Sequence, residues 1–258
     1  MSNLGELAAL AGVALVAGFV DAIAGGGGLL CLPALLLAGL DPVAALATNK
    51  LQGTFGTGSA TYAFWSRGAL EPKRHLPAIA TTFVGAALGV AAVHYAPTRL
   101  LSGILPPLLI LIAIYFALSP RLSDLASAPR LQPRIFTFFF APLIGFYDGV
   151  FGPGTGSFFM LALVTLFGLG VVEATGRTKL LNFTSNVASL IMFAFGGKIV
   201  WIIGFTMGIC QIIGAQIGAH MAIRNGARLI RPLLVTVCIV IAVKLLLDPA
   251  NPIRELFP

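Results

Sequence analysis

Four charged side chains lie deep within long apolar stretches of this 258-residue chain, as two matched pairs: Asp21 with Asp148, and Lys50 with Lys179. An ionisable group at membrane depth is costly and is a functional candidate by default. The two lysines would neutralise a small anion. The amide side chains around them would supply neutral hydrogen bonds to its oxygens, and they are Asn49, Gln52, Asn182 and Asn186.

The two lysines are expected near the starts of two equivalent helices. A helix N-terminus carries roughly half a positive charge and unpaired N–H groups, so it favours an anion. Lysines placed there by pseudo-symmetry would face a shared site near the middle of the bilayer. The alternative is that Lys50 and Lys179 extend their ammonium groups to the membrane surface as anchors.

The two aspartates occupy the same place in a repeated motif, G-F-x-D-x-x-x-G-x-G, which begins at Gly18 and again at Gly145. The carboxylates suit proton coupling, because burial in a low dielectric favours the protonated acid. They equally suit a structural role, in which they cap a neighbouring helix or pair with a lysine. The residues alone do not choose between these roles for Asp21 and Asp148.

The glycines of the motif predict interrupted helices. Glycine costs about 1 kcal/mol and proline about 3 kcal/mol in a helix interior. Broken backbone survives at membrane depth only where it is buried in protein or lines a wet cavity. Two interruptions in matching places are typical of a secondary transporter's binding site. Gly26, Gly27 and Gly154 are therefore included among the predicted substrate-binding residues.

Composition sets the class of protein. Hydrophobic residues make up 58% of the chain and charged residues 10%, whereas an ordinary soluble domain is about 25% charged. Mean hydropathy is +0.97, which predicts a helical, polytopic membrane protein. The net charge of +7 lies in loops between spans, so no nucleic-acid partner is expected. The cysteines have no paired spacing, and no metal site, cofactor or catalytic residue is predicted.

Two repeats of similar order account for the whole length. Lys50-Leu51 matches Lys179-Leu180, and Gly85-Ala86 matches Gly214-Ala215. The first repeat, residues 1–120, is predicted to hold a broken hairpin at about 4–40 and spans at about 43–65, 76–95 and 100–118. A cytoplasmic linker follows at 121–133. The second repeat, 134–258, is predicted to hold a hairpin at about 135–170 and spans at about 178–195, 199–223 and 232–247.

The basic loops predict the orientation of these elements. Short loops rich in lysine and arginine stay in the cytoplasm, which places the loops at 66–75, 119–134 and 223–231 inside. Each half then has one hairpin, entering from opposite sides, and three spans. The expected fold is an all-α polytopic membrane protein made of two inverted-topology repeats, with both termini outside, in the periplasm.

These segments together resemble the TauE/SafE family of sulfite and organosulfur-anion exporters. The resemblance rests on the following stretches: Gly25–Pro33, Asp41-Pro42, Ala47–Lys50, Gly152–Gly154 and Thr178–Asn182. It implies proton-driven transport of a small anion, such as sulfite or a sulfonate like sulfoacetate, across a bacterial inner membrane. The motif positions that it carries over are Asn49, Lys50, Lys179 and Asn182.

Other functions remain open at this point. Within transport, the alternatives are an uncoupled anion channel and a carrier of other organic anions. A membrane assembly protein without transport is an alternative of another class. An intramembrane aspartyl protease is disfavoured, because the Gly-x-Gly-Asp partner of Tyr147-Asp148 is absent from the sequence. The expected partners are a small anionic solute and the lipid bilayer, and a homodimer is compatible with the sequence.

Overall fold

A computed structural model describes residues 4–95 and 128–225, and within these ranges every regular element is a helix. The spans predicted at 100–118 and 232–247 lie outside the described residues, as does the first part of the predicted linker. The division into two repeats therefore stays a prediction over the full chain.

The first hairpin consists of α1, Leu4–Ala24, and α2, Gly27–Leu37. Between them, Gly25 has a positive φ of 80°, a conformation that favours glycine. The sequence predicts that the second half-helix begins at Leu29, but it begins at Gly27. The reason is local, because the Asp21 carboxylate accepts a hydrogen bond of 3.1 Å from the Gly27 N–H and so caps the helix two residues earlier.

Two long helices complete the described part of the first half. Helix α3, Pro42–Ser66, begins at Asp41, whose carboxylate accepts hydrogen bonds of 3.1 Å from the N–H groups of Val43 and Ala44. After a 3₁₀ turn at Pro72–His75 comes α4, Leu76–Tyr95.

The second hairpin repeats the first with one irregularity. A short helical turn at Pro133–Ile135, a π-helical turn at Phe136–Phe140 and an α-helix at Ala141–Val150 are continuous and together form α5. Helix α6 is Thr155–Thr165. The break between them contains Gly152 and Gly154, with φ of 88° and 81°, where the repeated motif predicts it.

The last two described helices are α7, Val171–Phe195, and α8, Trp201–Asn225. The sequence predicts a start for α7 near Thr178, which is wrong by seven residues. Gly170 precedes the first turn, and Glu173 lies within it, where a carboxylate suits the positive end of the helix. Glu173 also pairs with Arg177 at 2.6 Å across one turn.

The helices differ in how well they suit a membrane. Within residues 4–95 and 128–225, three are long and apolar enough to cross one: Leu4–Ala24, Pro72–Tyr95 and Trp201–Asn225. Helices α3 and α7 have 25 residues each and carry most of the described buried polar side chains. Helices α2 and α6 have 11 residues each. At 1.5 Å per residue they would span only about 17 Å of a hydrocarbon core about 30 Å thick.

The helices of the two halves exchange partners in matching fashion. Helix α1 packs mainly against α8, and α5 packs mainly against α4. Glycines allow both crossings, because a Cβ at Gly214 would collide with the Leu15 carbonyl oxygen, and a Cβ at Gly85 would collide with the Pro142 carbonyl oxygen. Helices α3 and α7 pack against each other between these crossings.

Two apolar clusters fill the interior on either side of the breaks. The Phe136 cluster includes Phe136, Phe159, Leu163 and Phe167 from the second hairpin, together with parts of α4, α7 and α8. The Met207 cluster includes Leu10, Leu32, Ile203 and Met207.

The glycine crossings predict a contrast between two alanine substitutions. Gly214→Ala is expected to lower the free energy of unfolding by about 1–3 kcal/mol, because the new methyl group overpacks a backbone contact. Gly12→Ala in α1 is the control, since nothing lies within 4 Å of a Cβ added there. Thermal unfolding of detergent-solubilised protein measures both. Equal melting temperatures for the two variants would contradict the close approach.

Candidate functional site

The two hairpin breaks meet in the interior of the protein. A Cβ at Gly25 would collide with the backbone of Gly156, and one at Gly28 would lie 3.2 Å from the Cα of Pro153. The Ser157 hydroxyl donates a hydrogen bond of 2.7 Å to the Ala24 carbonyl oxygen. The broken backbone of each half is therefore covered by the other half.

Lys50 of α3 contacts the aspartate of the second hairpin. Its Nζ lies 2.8 Å from Oδ1 of Asp148, and the two side chains are 1% and 2% exposed. The contact lacks hydrogen-bond geometry, so the Lys50 ammonium makes no hydrogen bond within the described part of the chain. Asp148 Oδ1 also accepts a hydrogen bond of 2.7 Å from the hydroxyl of Thr155, the first residue of α6.

Lys179 of α7 makes the equivalent contact with the first hairpin. Its Nζ lies 3.2 Å from Oδ2 of Asp21 and also donates to the Asp21 backbone carbonyl. The Asp21 Oδ1 caps α2 through Gly27. Each aspartate thus holds the start of its own second half-helix and pairs with a lysine from the other half of the chain.

The burial of both lysines excludes a role as surface anchors, and their positions along α3 and α7 differ from the predicted ones. Lys50 and Lys179 are 1% and 0% exposed, so neither extends to the membrane surface as an anchor. The expectation that they lie near the starts of their own helices is wrong, because each follows the first residue of its helix by eight positions. The helix starts beside them are those of α2 and α6.

A small polar cavity of about 20 Å³ lies between the two pairs. This is room for about one water molecule. Six of the predicted site residues line it, namely Asp21, Asn49, Gln52, Asp148, Asn182 and Asn186. The predicted glycines lie at the breaks beside it: Gly26 precedes α2, Gly27 begins that helix and Gly154 precedes α6.

Sequence reasoning missed several residues that line this cavity. Gly53 and Thr57 lie one and two turns after Asn49 on the same face of α3, so helical spacing could have identified them. Gln211 of α8 also lines the cavity, although its sequence context favours ordinary hydrogen bonding between helices. The residue of α4 that corresponds to Gln211 is Thr82, so comparison of the two repeats does not identify Gln211 as a site residue.

Several polar atoms at this cavity have no hydrogen-bond partner among the described residues. They are Lys50 Nζ, Asp148 Oδ2, Gln52 Oε1 and Gln211 Oε1. A buried polar group without a partner costs about 1–3 kcal/mol. The amide groups are only partly used, as in the 2.7 Å hydrogen bond from Gln52 Nε2 to Asn49 Oδ1. The site therefore offers a hydrogen-bond donor, Lys50 Nζ, and three acceptor oxygens to a polar ligand.

Comparison with known proteins gives consistent matches. A family model described as Sulfite exporter TauE/SafE matches residues 10–245. A probable membrane transporter protein, ORF9, of Sinorhizobium sp is 51% identical, covering 96% of this chain and 95% of its own. The probable membrane transporter protein YfcA of Escherichia coli K12 is 46% identical over 92% of this chain and 88% of its own. No solved structure matches.

The buried ion pair between Lys179 and Asp21 can be tested by a double-mutant cycle. Lys179→Met leaves the Asp21 carboxylate buried without its partner and is expected to cost about 3–5 kcal/mol of unfolding free energy. The double variant Lys179→Met/Asp21→Asn removes both charges and is expected to recover most of that loss.

Thermal unfolding of the wild type, both single variants and the double variant measures the coupling. A double variant no more stable than Lys179→Met would mean that the charge pair is not the source of the effect.

Proposed function

The chain belongs to the TauE/SafE family of membrane transporters, and we propose that it is a secondary transporter that exports small sulfur-containing anions such as sulfite or sulfonates. The observation that carries this proposal is the pair of buried lysine–aspartate contacts beside the two hairpin breaks. The proposed location is the bacterial inner membrane, with both termini in the periplasm.

The charges at the site favour coupling to protons. Two ammonium groups and two carboxylates sum to zero, so an entering monoanion would leave one negative charge unpaired. An uncompensated buried charge costs several kcal/mol. Protonation of Asp21 or Asp148 removes that charge, so one proton moves in the same direction as each negative charge that the substrate brings. Export by this route is driven by the outward gradient of the anion, and an imposed pH gradient drives accumulation of the anion on the alkaline side.

Protonation also prepares the site for the anion. A neutral Asp148 no longer forms an ion pair with Lys50, so the 2.8 Å contact between them is weakened. The released ammonium and the start of α6 would then face the same anion, which a helix N-terminus favours. Asn49, Gln52, Asn182 and Asn186 would bind the remaining oxygens of a sulfite or sulfonate group.

Binding needs the site to enlarge, since the cavity of about 20 Å³ is smaller than any of these anions. The matching exchange of partners, α1 with α8 and α5 with α4, supports a two-fold relation between the halves. We propose that this relation is the inverted repeat and that one hairpin moves against its partner helices to alternate access.

Transport in proteoliposomes tests the proposal. With sulfite, sulfoacetate, taurine and acetate offered separately, an imposed pH gradient is expected to drive accumulation of sulfite or sulfoacetate against its own gradient. Movement only down the anion gradient would indicate a channel and would contradict coupling. No protein-dependent movement of any sulfur anion would overturn the proposed substrate class.

An aspartate substitution tests the coupling separately. The amide of asparagine mimics a permanently protonated acid, so Asp148→Asn is expected to abolish pH-driven accumulation while anion exchange down a gradient continues. Asp41→Asn is the matched control, because Asp41 caps α3 at the protein surface and asparagine is an equally good cap. Intact pH-driven accumulation in Asp148→Asn would exclude this carboxylate as a coupling group.

A further inference from the structure

We infer that a second, larger cavity beside α7 is the cytoplasmic entrance to the buried site, and that Arg177 is the more buried of the two arginines that an entering anion meets there. This inference rests on the proposed function. The cavity holds about 420 Å³ between the 3₁₀ turn at Pro72–His75, the start of α5, the end of α6 and α7. Basic side chains lie on its lining, and they are Arg74, His75 and Arg177.

The entrance and the buried site share two helices. On α7, Arg177 and Leu181 line the entrance, and Asn182 lines the polar cavity. On α6, a Cβ at Gly156 would lie 3.2 Å from the Asn182 amide nitrogen, whereas Leu163 lines the entrance. Seven residues of helix separate these positions, a distance of about 10 Å. Along α6, the lining of the entrance therefore lies about two helical turns from the polar cavity.

Arg177 is suited to receive an anion. Its side chain is 32% exposed, and its Nη2 pairs with Glu173 at 2.6 Å. Its Nε is buried and makes no hydrogen bond among the described residues. An exposed ion pair is worth only about 0–1 kcal/mol, so an oxyanion can replace the Glu173 carboxylate and also accept a hydrogen bond from Nε.

The equivalent positions in the other half are closed. Thr48 corresponds to Arg177 and is 0% exposed, and its hydroxyl oxygen accepts a hydrogen bond of 3.1 Å from the Val200 N–H. Leu10 corresponds to Thr137. Leu10 is buried in the Met207 cluster, whereas Thr137 is partly exposed and lines the entrance. Arg177 and Thr137 are thus accessible, and the equivalent Thr48 and Leu10 are packed.

The entrance lies on the side with the basic loops. Arg67, Lys73 and Arg74 lie in the loop before α4, and Arg130 and Arg134 lie before and within the start of α5. The excess of lysine and arginine in short loops assigns this side to the cytoplasm. The entrance cavity therefore lies on the side from which an exporter loads its substrate.

Paired cysteine substitutions test the entrance. In a background where Cys31, Cys210 and Cys238 are replaced by serine, Thr137→Cys and Leu10→Cys place thiols at equivalent positions of the two halves. A membrane-impermeant, negatively charged methanethiosulfonate is expected to label Thr137→Cys at least tenfold faster, and only when added to the cytoplasmic face. Similar rates for the two variants, or labelling of Thr137→Cys only from the periplasm, would overturn the inference.

Labelling needs no transport, so this result separates the inference from the proposed function. One-sided labelling in a protein that moves no anion would refute the function and leave the entrance intact.

Transport kinetics test Arg177 itself. Arg177→Gln is expected to raise the half-saturating sulfite concentration several-fold, because the entrance loses the more buried of its two arginines. Arg177→Lys is expected to restore part of the loss. Arg224→Gln, at the exposed end of α8, is the control and is expected to leave the half-saturating concentration unchanged. An unchanged value in Arg177→Gln would remove Arg177 from the path.

Discussion

Backbone that is broken inside a membrane protein must find hydrogen-bond partners within the protein, and Asp21 and Asp148 lie beside the two breaks. Asp21 accepts a hydrogen bond from the backbone N–H of Gly27 at the start of α2, and Asp148 accepts one from the side-chain hydroxyl of Thr155 at the start of α6. A carboxylate buried there needs a positive partner, and Lys179 and Lys50 supply it from the opposite half. The aspartates at the breaks thus also connect the two halves of the chain, through their ion pairs with the lysines.

The same arrangement explains why the polar residues lie where they do. Helices α3 and α7 pack against each other, and α8 and α4 pack against them, so most of their polar side chains are buried. This placement lets α3 carry Asn49 and Gln52, and α7 carry Asn182 and Asn186, within a chain whose charged residues are only 10%.

The amino-acid sequence predicts the helical class, the positions of both breaks and the four buried charged residues, because helix-breaking residues and lone charges are local signals. It does not reveal that Lys50 pairs with Asp148 rather than with Asp21, since that depends on how the halves cross. The start of α7 at Val171 was obscured by Thr175 and Gly176, which have weak helix propensity. The difference between the Arg177 side and the Thr48 side arises from packing around the equivalent positions.

The π-helical turn at Phe136–Phe140 has no counterpart in α1, which is α-helical throughout Leu4–Ala24. A π-helical turn holds more residues per turn, so it rotates the side chains that follow it relative to those before it. Two halves that differ in this way are not interchangeable by exact two-fold rotation. The inward-facing and outward-facing conformations of a rocking cycle would therefore differ in free energy. One of them would be more populated than the other even without bound solute.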